Sequence, residues 1–545
     1  MTFAEKIAHL RIVNSYSQEQ LAKALDVSRQ SLSKWESGES LPQLDKLREI
    51  CELFQITADE LINDDIVIHR GKKLVPSIGE DVKTKYFGTD GFRGEANQVL
   101  TCDHAYKIGR FLGWFYGNPI YNFQKPGYRP RVVIGKDTRR SSYMFEYAVA
   151  AGVAASGGDV ELLHVTTTPS VSYIVRQDCF DCGVMITASH NPFYDNGIKV
   201  INCNGEKLED GVAVLIEAYI DGKLDVLGVK GDDLPFATKD NIGRISDDSS
   251  GRNRYIGYLI SLAKHSFKNL KIGLDTANGA SWMIAKSVFD ALGAQTYIIN
   301  NEPNGLNINL DAGSTHIEKF CKFVKDNKLD IGFAFDGDAD RCIAVDENGK
   351  EVDGDKIMYL LANKLKTEGS LEKNTLVTTI MSNSGLTKAL KQIGINQVQT
   401  KVGDRFVFEK MQEEGYSLGG EQSGHVIIKK YATTGDGVLT ALMVTEAVIE
   451  SKGTLSKLVS PVKLLPQKLK NVRVTNKAAV VDDAQVQAKF KEVNEEIGDN
   501  GRALLRQSGT EPVVRIMLEC PTLQECDEYI EKIYNVIKKR GYVCE

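Results

Sequence analysis

The stretch Thr187-Ala-Ser-His-Asn-Pro-Phe-Tyr-Asp-Asn-Gly-Ile-Lys199 decides how the larger part of this 545-residue chain is read. It follows the apolar run Gly183-Val184-Met185-Ile186, so it reads as a loop leaving a buried strand. Ser189 stands at the end of that strand. Asn191 suits a helix cap and Pro192 a first helical position, which predicts a helix starting here. A hydroxyl at such an end, among unpaired backbone N–H groups, suits a phosphate. The plain alternative is an Asn-Pro turn carrying a surface serine, and partners elsewhere in the chain decide between the two.

Working outward, a strand running into a turn and then a helical pattern occurs three times. Arg131–Ile134 leads into Gly135-Lys-Asp-Thr-Arg139, Leu270–Leu274 into Asp275-Thr-Ala-Asn-Gly279, and Leu376–Ile380 into Met381-Ser-Asn-Ser-Gly385. Such βα entries predict three related α/β domains. From about residue 465 the pattern changes: Val472-Arg-Val474 and Val513–Leu518 read as strands and Leu523–Arg540 as a last helix, a smaller α+β domain.

Four further stretches carry chemistry. Phe87-Gly-Thr-Asp-Gly-Phe-Arg-Gly94 is a glycine-rich loop ending in an arginine, able to approach a phosphate, although an ordinary turn reads the same way. Asp336-Gly-Asp-Ala-Asp340-Arg341 places three carboxylates two residues apart after the apolar Phe333-Ala-Phe335. On an extended strand they would spread over about 13 Å. To share one Mg2+ the segment must curl, which Gly337 permits and the small Ala339 does not hinder. Gly419-Gly-Glu-Gln-Ser-Gly-His425 offers a carboxylate, a hydroxyl and an imidazole, the equipment for sugar hydroxyls. Arg506-Gln-Ser-Gly-Thr-Glu-Pro-Val-Val-Arg515 brings two arginine forks and loop N–H groups, a phosphate clamp. Together these describe phosphoryl transfer on a phosphosugar, with a metal-held phosphoserine as donor.

Residues 85–540 resemble the α-D-phosphohexomutase superfamily, most closely its phosphoglucosamine mutase branch. The resemblance is carried by Lys85–Gly94, Ala188–Lys199, Gly420–His425, Thr433-Thr-Gly-Asp-Gly437 and Arg506–Pro512, in that order. It implies that Ser189 is the phosphorylated nucleophile and that Asp336, Asp338 and Asp340 hold Mg2+ with the phosphoserine as a further ligand. It matches His190 and Lys199 to positions assisting proton transfer and Arg93 and Arg341 to active-site arginines. Glu421 and Ser423, with His425 beside them, match the sugar loop; Arg506, Ser508, Gly509, Thr510 and Arg515 match the phosphate clamp. The implied reaction interconverts glucosamine 6-phosphate and glucosamine 1-phosphate through glucosamine 1,6-bisphosphate, feeding UDP-N-acetylglucosamine synthesis. A phosphomannomutase/phosphoglucomutase is the nearest alternative; Gln422 and the Gly88–Arg93 loop favour glucosamine. Phe92, Ala339 and Gln507 depart mildly from the family pattern, the last removing a charge from the clamp.

The first 65 residues form a separate reading. Short amphipathic helices are predicted over Phe3–Asn14, from a Ser17 cap with Gln20 in capping-box position, over Arg29–Ser37 between a Ser28 cap and a Gly38 stop, near Leu44–Phe54 and over Thr57–Ile62. The stretch Ser17–Gly38 resembles the Cro/CI-type (XRE) helix-turn-helix family. That resemblance implies base contacts from Arg29, Gln30 and Lys34 and phosphate contacts near Gln18 and Ser31, with Leu32 and Trp35 packed inward. Against it, residues 1–70 hold 8 Lys/Arg and 12 Asp/Glu, whereas electrostatics supplies much of DNA affinity. A dimerising or partner-binding helical domain is the alternative.

The expected organisation is an all-α helix-turn-helix domain (1–65) and a linker (66–84) with a short strand at Ile66–Ile68. Three related α/β/α domains (85–240, 241–350, 351–462) and a C-terminal α+β domain (463–545) follow. A net charge of −6 argues against a nucleic-acid protein as a whole. With no signal-peptide core and no apolar run near membrane-spanning length, a cytoplasmic enzyme without membrane contact is expected. Ten scattered cysteines, with one lone Cys-x-x-Cys at Cys179 and Cys182, read as reduced thiols. A homodimer is expected, since helix-turn-helix heads pair to read two half-sites. The fusion also admits a transcription regulator whose mutase body senses sugar phosphate.

Overall fold

The computed structural model describes residues 2–13, 18–54, 56–64, 84–88, 90–118, 128–507 and 513–544. The Ser17 cap, the strand expected at Ile66–Ile68, most of the linker and the clamp residues Ser508, Gly509 and Thr510 lie outside them.

Among the described residues the N-terminal unit has five helices: Phe3–Val13, Gln18–Ala24, Arg29–Ser37, Leu44–Phe54 and Ala58–Ile62. Ser28 caps the third by accepting from the Ser31 N–H, and Gly38 ends it with φ +78°. Leu32 and Trp35 face the core beside Ile7, Leu10, Leu21 and Leu61. Lys6 is fully buried in this small domain, and its ammonium donates to the Glu60 and Asn63 carbonyls at 2.8 and 2.6 Å. It thereby satisfies carbonyls left open at the end of the fifth helix.

The remainder is built on four sheets. The first holds β1 (Phe87–Gly88), β2 (Gly91–Glu95), β3 (Arg131–Lys136), β4 (Asp159–Val165), β5 (Cys182–Ile186), β6 (Asp195–Asn202) and β7 (Ile245–Asp247), in the order 1-2-6-5-3-4-7. The second holds β8 (Lys271–Asp275), β9 (Gln295–Ile299), β10 (Ile331–Phe335), β11 (Cys342–Val345) and β12 (Glu351–Val352), in the order 12-11-10-8-9. The third holds β13 (Thr375–Thr379), β14 (Asn396–Thr400), β15 (Leu418–Gly420) and β16 (Val426–Ile428), in the order 14-13-15-16. The fourth is antiparallel, with β17 (Gln467–Arg473) and β18 (Arg502–Gln507) on either side of β19 (Val513–Glu519).

The first three sheets repeat one unit. Three parallel strands lie in the order second, first, third, and a fourth strand pairs antiparallel with the third: β4-β3-β5-β6, β9-β8-β10-β11 and β14-β13-β15-β16. The central strands β5 and β10 have every residue buried, as expected where both faces are covered, while the edge strands β9 and β14 are only partly buried. Three of the chemistry-bearing loops fall at one place in this unit, the turn joining the third strand to its antiparallel partner. Residues 187–194 join β5 to β6, 336–341 join β10 to β11, and 421–425 join β15 to β16.

That placement corrects the reading of Asn191-Pro192. No helix starts there; β6 begins at Asp195 and pairs directly back onto β5. The fixed φ of proline suits a turn as well as a first helical position, and strand pairing decides. The first sheet also takes in β7, past the boundary expected at residue 240, and the second extends to residue 352. Two helices precede β18, Lys477–Asp482 and Ala484–Ile497, and neither they nor β18 were read from the sequence.

Candidate active site

Ser189 sits in the β5–β6 turn with φ +51°, a left-handed conformation that a non-glycine residue adopts only at a cost. Surrounding groups hold it there. The Ser189 N–H donates to Thr187 Oγ1 at 2.9 Å. The carbonyl of Ser189 accepts from Arg139 Nη2 at 3.1 Å and Asn309 Nδ2 at 2.8 Å, and the same two side chains donate to the carbonyl of Asn191. Arg139, itself fully buried, is anchored by Asp137. Ser189 is 1% exposed, and its hydroxyl donates to Asp336 Oδ2 at 2.5 Å.

The aspartate loop curls as the shared-ion argument requires, but its hinge is not the residue expected. Ala339, not Gly337, takes the positive φ, +56°. Gly337 is required for close approach instead: a Cβ there would lie 2.5 Å from the Ser189 carbonyl oxygen. The curl brings one oxygen each of Asp336, Asp338 and Asp340 within 4.8 Å of one another, all buried. Asp338 Oδ1 and Asp340 Oδ1 receive no hydrogen bond. Asp338 Oδ2 accepts from Thr168 Oγ1 at 2.5 Å and from Lys199 at 2.8 Å.

The electrostatics fit a divalent cation here. Burial, and then Asp340 and Asp338, push the Asp336 carboxyl well above the usual carboxylate range. Burial works against Asp340 as well, yet Lys199, His425 and Arg341 outweigh it and hold that carboxyl well below the range. Three adjacent carboxylates with orphaned oxygens can all remain ionised around a hard cation. Oxygen-only donors suit Mg2+ among biological metals.

Lys199, on β6, meets Asp338, Asp340 and Asp90 at 2.8, 3.2 and 3.2 Å. Burial disfavours its charge, but these carboxylates keep the ammonium above the ordinary lysine range. His190 is brought down to about 4 by burial and by Arg341 and Arg93, so its ring is neutral near pH 7. His190 Nδ1 lies 3.5 Å from Ser189 Oγ and 3.0 Å from Arg341 Nη1. Because arginine can only donate, Nδ1 is the acceptor of that contact. Arg93 is ion-paired to Asp90.

The Glu421–His425 loop lies against the same centre. His425 is buried, accepts from the Gly435 N–H through Nε2 at 3.0 Å, and places Nδ1 3.8 Å from Asp340 Oδ1. Glu421 Oε1 accepts from the Gly403 N–H at 3.0 Å, Gln422 donates to Asp353 at 3.2 Å, and Ser423 is exposed. The Gly437 N–H donates to the Ala339 carbonyl at 2.9 Å, which fixes the Thr433–Gly437 loop on the aspartate loop. Arg506 and Arg515 face each other in register across β18 and β19. Burial, and then the neighbouring Arg515, lower the pKa of Arg506. Ser189, His190, Lys199, Arg93, Arg341, the three aspartates and the sugar loop are thus brought together.

Several side chains at or around this centre escaped the sequence reading. Arg139 and Thr138 lay in a turn recognised only as a strand exit, and Asp90 lay inside the quoted glycine loop without a role. Lys207, Asp404, Thr168 and Asn309 had no local signal.

In the helical head, Arg29, Gln30 and Lys34 are exposed on the helix Arg29–Ser37. The Gln18 carboxamide donates to Glu36 at 2.8 Å, and the Ser31 hydroxyl lies 2.8 Å from that of Ser28.

Comparison with known proteins agrees with this geometry. Family models match in chain order: helix-turn-helix over residues 7–61, and phosphoglucomutase/phosphomannomutase alpha/beta/alpha domains I, II and III over 84–225, 253–349 and 353–464. The C-terminal domain of the same family matches over 469–536. The chain is 56% identical over 458 residues to a phosphoglucosamine mutase of Lachnospira eligens, covering 84% of this chain and 99% of that one. It is 47% identical over 456 residues to one of Anoxybacillus flavithermus, with 84% and 99% covered. Among solved structures, a phosphoglucomutase/phosphomannomutase family protein from Burkholderia thailandensis superposes with a TM-score of 0.69 at 22% identity, covering 84% of this chain and 98% of that one. An Aspergillus fumigatus N-acetylphosphoglucosamine mutase superposes with a TM-score of 0.60 at 17% identity, covering 85% and 97%.

Proposed function

This chain belongs to the phosphoglucosamine mutases of the phosphoglucomutase/phosphomannomutase family, carrying an N-terminal helix-turn-helix domain, and from that premise we propose how its residues perform the reaction. Ser189, once phosphorylated, donates its phosphoryl group to glucosamine 6-phosphate or glucosamine 1-phosphate, giving glucosamine 1,6-bisphosphate, which returns the other phosphate to Ser189. The observation that carries this reading is the 2.5 Å hydrogen bond from Ser189 Oγ into the cluster of three aspartates.

Mg2+ held by Asp336, Asp338 and Asp340 would supply positive charge against the oxygens of the transferring group. The free sugar hydroxyl forms the new P–O bond as the bond from phosphorus to Ser189 Oγ breaks, and the hydroxyl proton passes in net to Ser189 Oγ. Lys199 remains an ammonium and can only donate; neutral His190 stands beside the transfer; Arg93 and Arg341 lie within reach of phosphate oxygens. Glu421, Ser423 and His425 hold the sugar hydroxyls. Arg506 and Arg515, with Ser508, Gly509 and Thr510, hold the phosphate that is not reacting. The second half-reaction runs the same exchange backwards from the other phosphate. The expected domain limits, 85–240, 241–350, 351–462 and 463–545, serve as the working division of this machinery.

The test is a coupled assay of glucosamine, glucose and mannose phosphates with Mg2+ and trace 1,6-bisphosphate. A kcat/KM for glucosamine at least roughly a hundredfold above the others is expected. Equal turnover of the three would point to a general phosphohexomutase. No turnover by a chain already phosphorylated at Ser189 would favour a sugar-phosphate sensor.

The head carries a second proposal, because Arg29, Gln30 and Lys34 are exposed together on one capped helix. It contacts DNA through those side chains, with Gln18 and Ser31 near the backbone, as one half of a homodimer. A salt-dependent shift of operator DNA, lost in Arg29→Ala, supports it; sedimentation as monomer removes the dimer. Among the described residues no helix is long and apolar enough to cross a membrane, and we place the reaction in the cytoplasm.

A further inference from the structure

Five charged side chains and His425 form a ring that none of the motifs announces. Lys199 Nζ lies 3.2 Å from Asp90 Oδ2, and Asp90 Oδ1 lies 3.2 Å from Lys207 Nζ. Lys207 Nζ lies 2.7 Å from Asp404 Oδ2, which lies 3.5 Å from His425 Nε2. His425 Nδ1 lies 3.8 Å from Asp340 Oδ1, and Asp340 Oδ2 lies 3.2 Å from Lys199 Nζ. Lys199 stands between Asp90 and Asp340 and Lys207 between Asp90 and Asp404, while His425, whose Nε2 accepts from the Gly435 N–H, closes the circuit by proximity and not by an ion pair to Asp404.

The ring is assembled from three α/β units. Asp90 lies between β1 and β2, Lys199 on β6 and Lys207 just after it; Asp340 lies in the β10–β11 turn; Asp404 opens the helix after β14 and His425 lies in the β15–β16 turn. It therefore closes only when the three domains stand as they do here. Two of its members, Lys199 and Asp340, are in the phosphoryl-transfer centre, and His425 is in the sugar loop. Asp90, Lys207 and Asp404 bond neither Ser189 nor the other two aspartates, and Lys207 and Asp404 lie farthest around the ring from that centre. Asp404 begins the helix Asp404–Glu414, directly after Gly403, whose N–H is held by Glu421 of the sugar loop. A second tie runs alongside, from Arg405 to Asp210 of the first domain.

We propose that Lys207 and Asp404 are positioning residues of the transfer reaction, closing this ring so that the sugar-binding domain stays on the phosphoryl-transfer centre while the bisphosphate turns around. The proposal rests on the bisphosphate mechanism above. That mechanism needs an intermediate with two phosphates to reorient without leaving, and the third domain carries the sugar loop beside the centre, tied to the first domain by Lys207–Asp404 and Arg405–Asp210. Cutting the ring at Lys207–Asp404 weakens the tie between the first and third domains, leaving the Arg405–Asp210 pair, without removing a nucleophile, a metal ligand or a sugar contact.

The experiment uses the full chain and four variants: Lys207→Met, Asp404→Asn, the double variant, and Lys207→Arg as the conservative control. The concentration of glucosamine 1,6-bisphosphate giving half-maximal turnover measures escape of the intermediate. Lys207→Met and Asp404→Asn should each raise it roughly tenfold or more. The double variant should be no worse than either single, as for two halves of one link. Lys207→Arg should stay near wild type, and the first phosphoryl transfer from Ser189 should slow by less than about threefold in every variant. An unchanged bisphosphate requirement overturns the proposal. So does a raised KM for glucosamine 6-phosphate alone, which would make Lys207 a direct phosphate contact. If the wild-type chain turned over no glucosamine phosphate, the mutase reading would fail and the ring would be judged by hydrogen exchange. Residues 401–405 and 421–425 must then lose protection in Lys207→Met, and unchanged protection there overturns it.

Discussion

The hydroxyl of Ser189, in the turn between β5 and β6, donates to Asp336 Oδ2 in the turn between β10 and β11, 147 residues later and in a different sheet. The two turns occupy the same place in two copies of one structural unit. The proposed nucleophile and its proposed metal site therefore lie in equivalent loops facing each other, and each can be tested separately.

Ser189→Ala removes the phosphate acceptor while leaving Thr187, Arg139 and Asn309 to hold the turn. Turnover should fall by at least about a thousandfold, and intact mass should show no phosphorylated species. Thermal unfolding should stay within a few degrees of wild type.

The metal site should respond to its neighbours as well as its ligands. Thr168 Oγ1 donates to Asp338 Oδ2 and orients it. Thr168→Val should weaken Mg2+ about 10- to 100-fold, the scale for losing a residue that orients a ligand. A Mg2+ titration of turnover after chelation reads this directly, and saturating metal should restore most activity.

Two small residues in the aspartate loop should behave oppositely. Gly337→Ala would place a methyl 2.5 Å from the Ser189 carbonyl oxygen. It should cost about 1–3 kcal/mol by overpacking and activity with it. Ala339→Gly should relieve the left-handed φ of +56° and gain up to about 1 kcal/mol. Thermal melts of the two variants check both signs.

How much was legible follows the range of the interactions. The Ser28 cap, the Gly38 stop and the apolar runs of β5 and β10 are local, and composition announces them. The Asn191-Pro192 turn misled because proline suits a first helical position and a turn alike, and strand pairing with β6 chose. The curl of the aspartate loop was required by charge repulsion, but the contact of Gly337 with Ser189 reserved the glycine and left Ala339 to take the strained φ. Arg139, Lys207 and Asp404 depend on partners 50 to nearly 200 residues away, and no local pattern marks such pairs.

Asp355 gives the pH dependence. Burial, and then Asp353, raise its carboxyl to about 8, while its Oδ2 accepts the Asn383 N–H at 2.7 Å. A carboxyl whose folded pKa lies above its unfolded value contributes stability that is complete below the unfolded value. That stability is lost as pH rises through the folded one. The chain should therefore lose stability between about pH 4 and pH 8 from this group. Asp355→Asn should flatten that slope, so its melting temperature should gain on wild type as pH rises from 5 to 9.

The central claim is that Ser189 carries the phosphate that glucosamine receives. The direct measurement is a single turnover with enzyme bearing a labelled phosphate on Ser189, mixed with unlabelled glucosamine 6-phosphate and Mg2+. The account predicts that the label leaves the protein and appears first in glucosamine 1,6-bisphosphate. Label remaining on Ser189 while glucosamine 1-phosphate forms would contradict it.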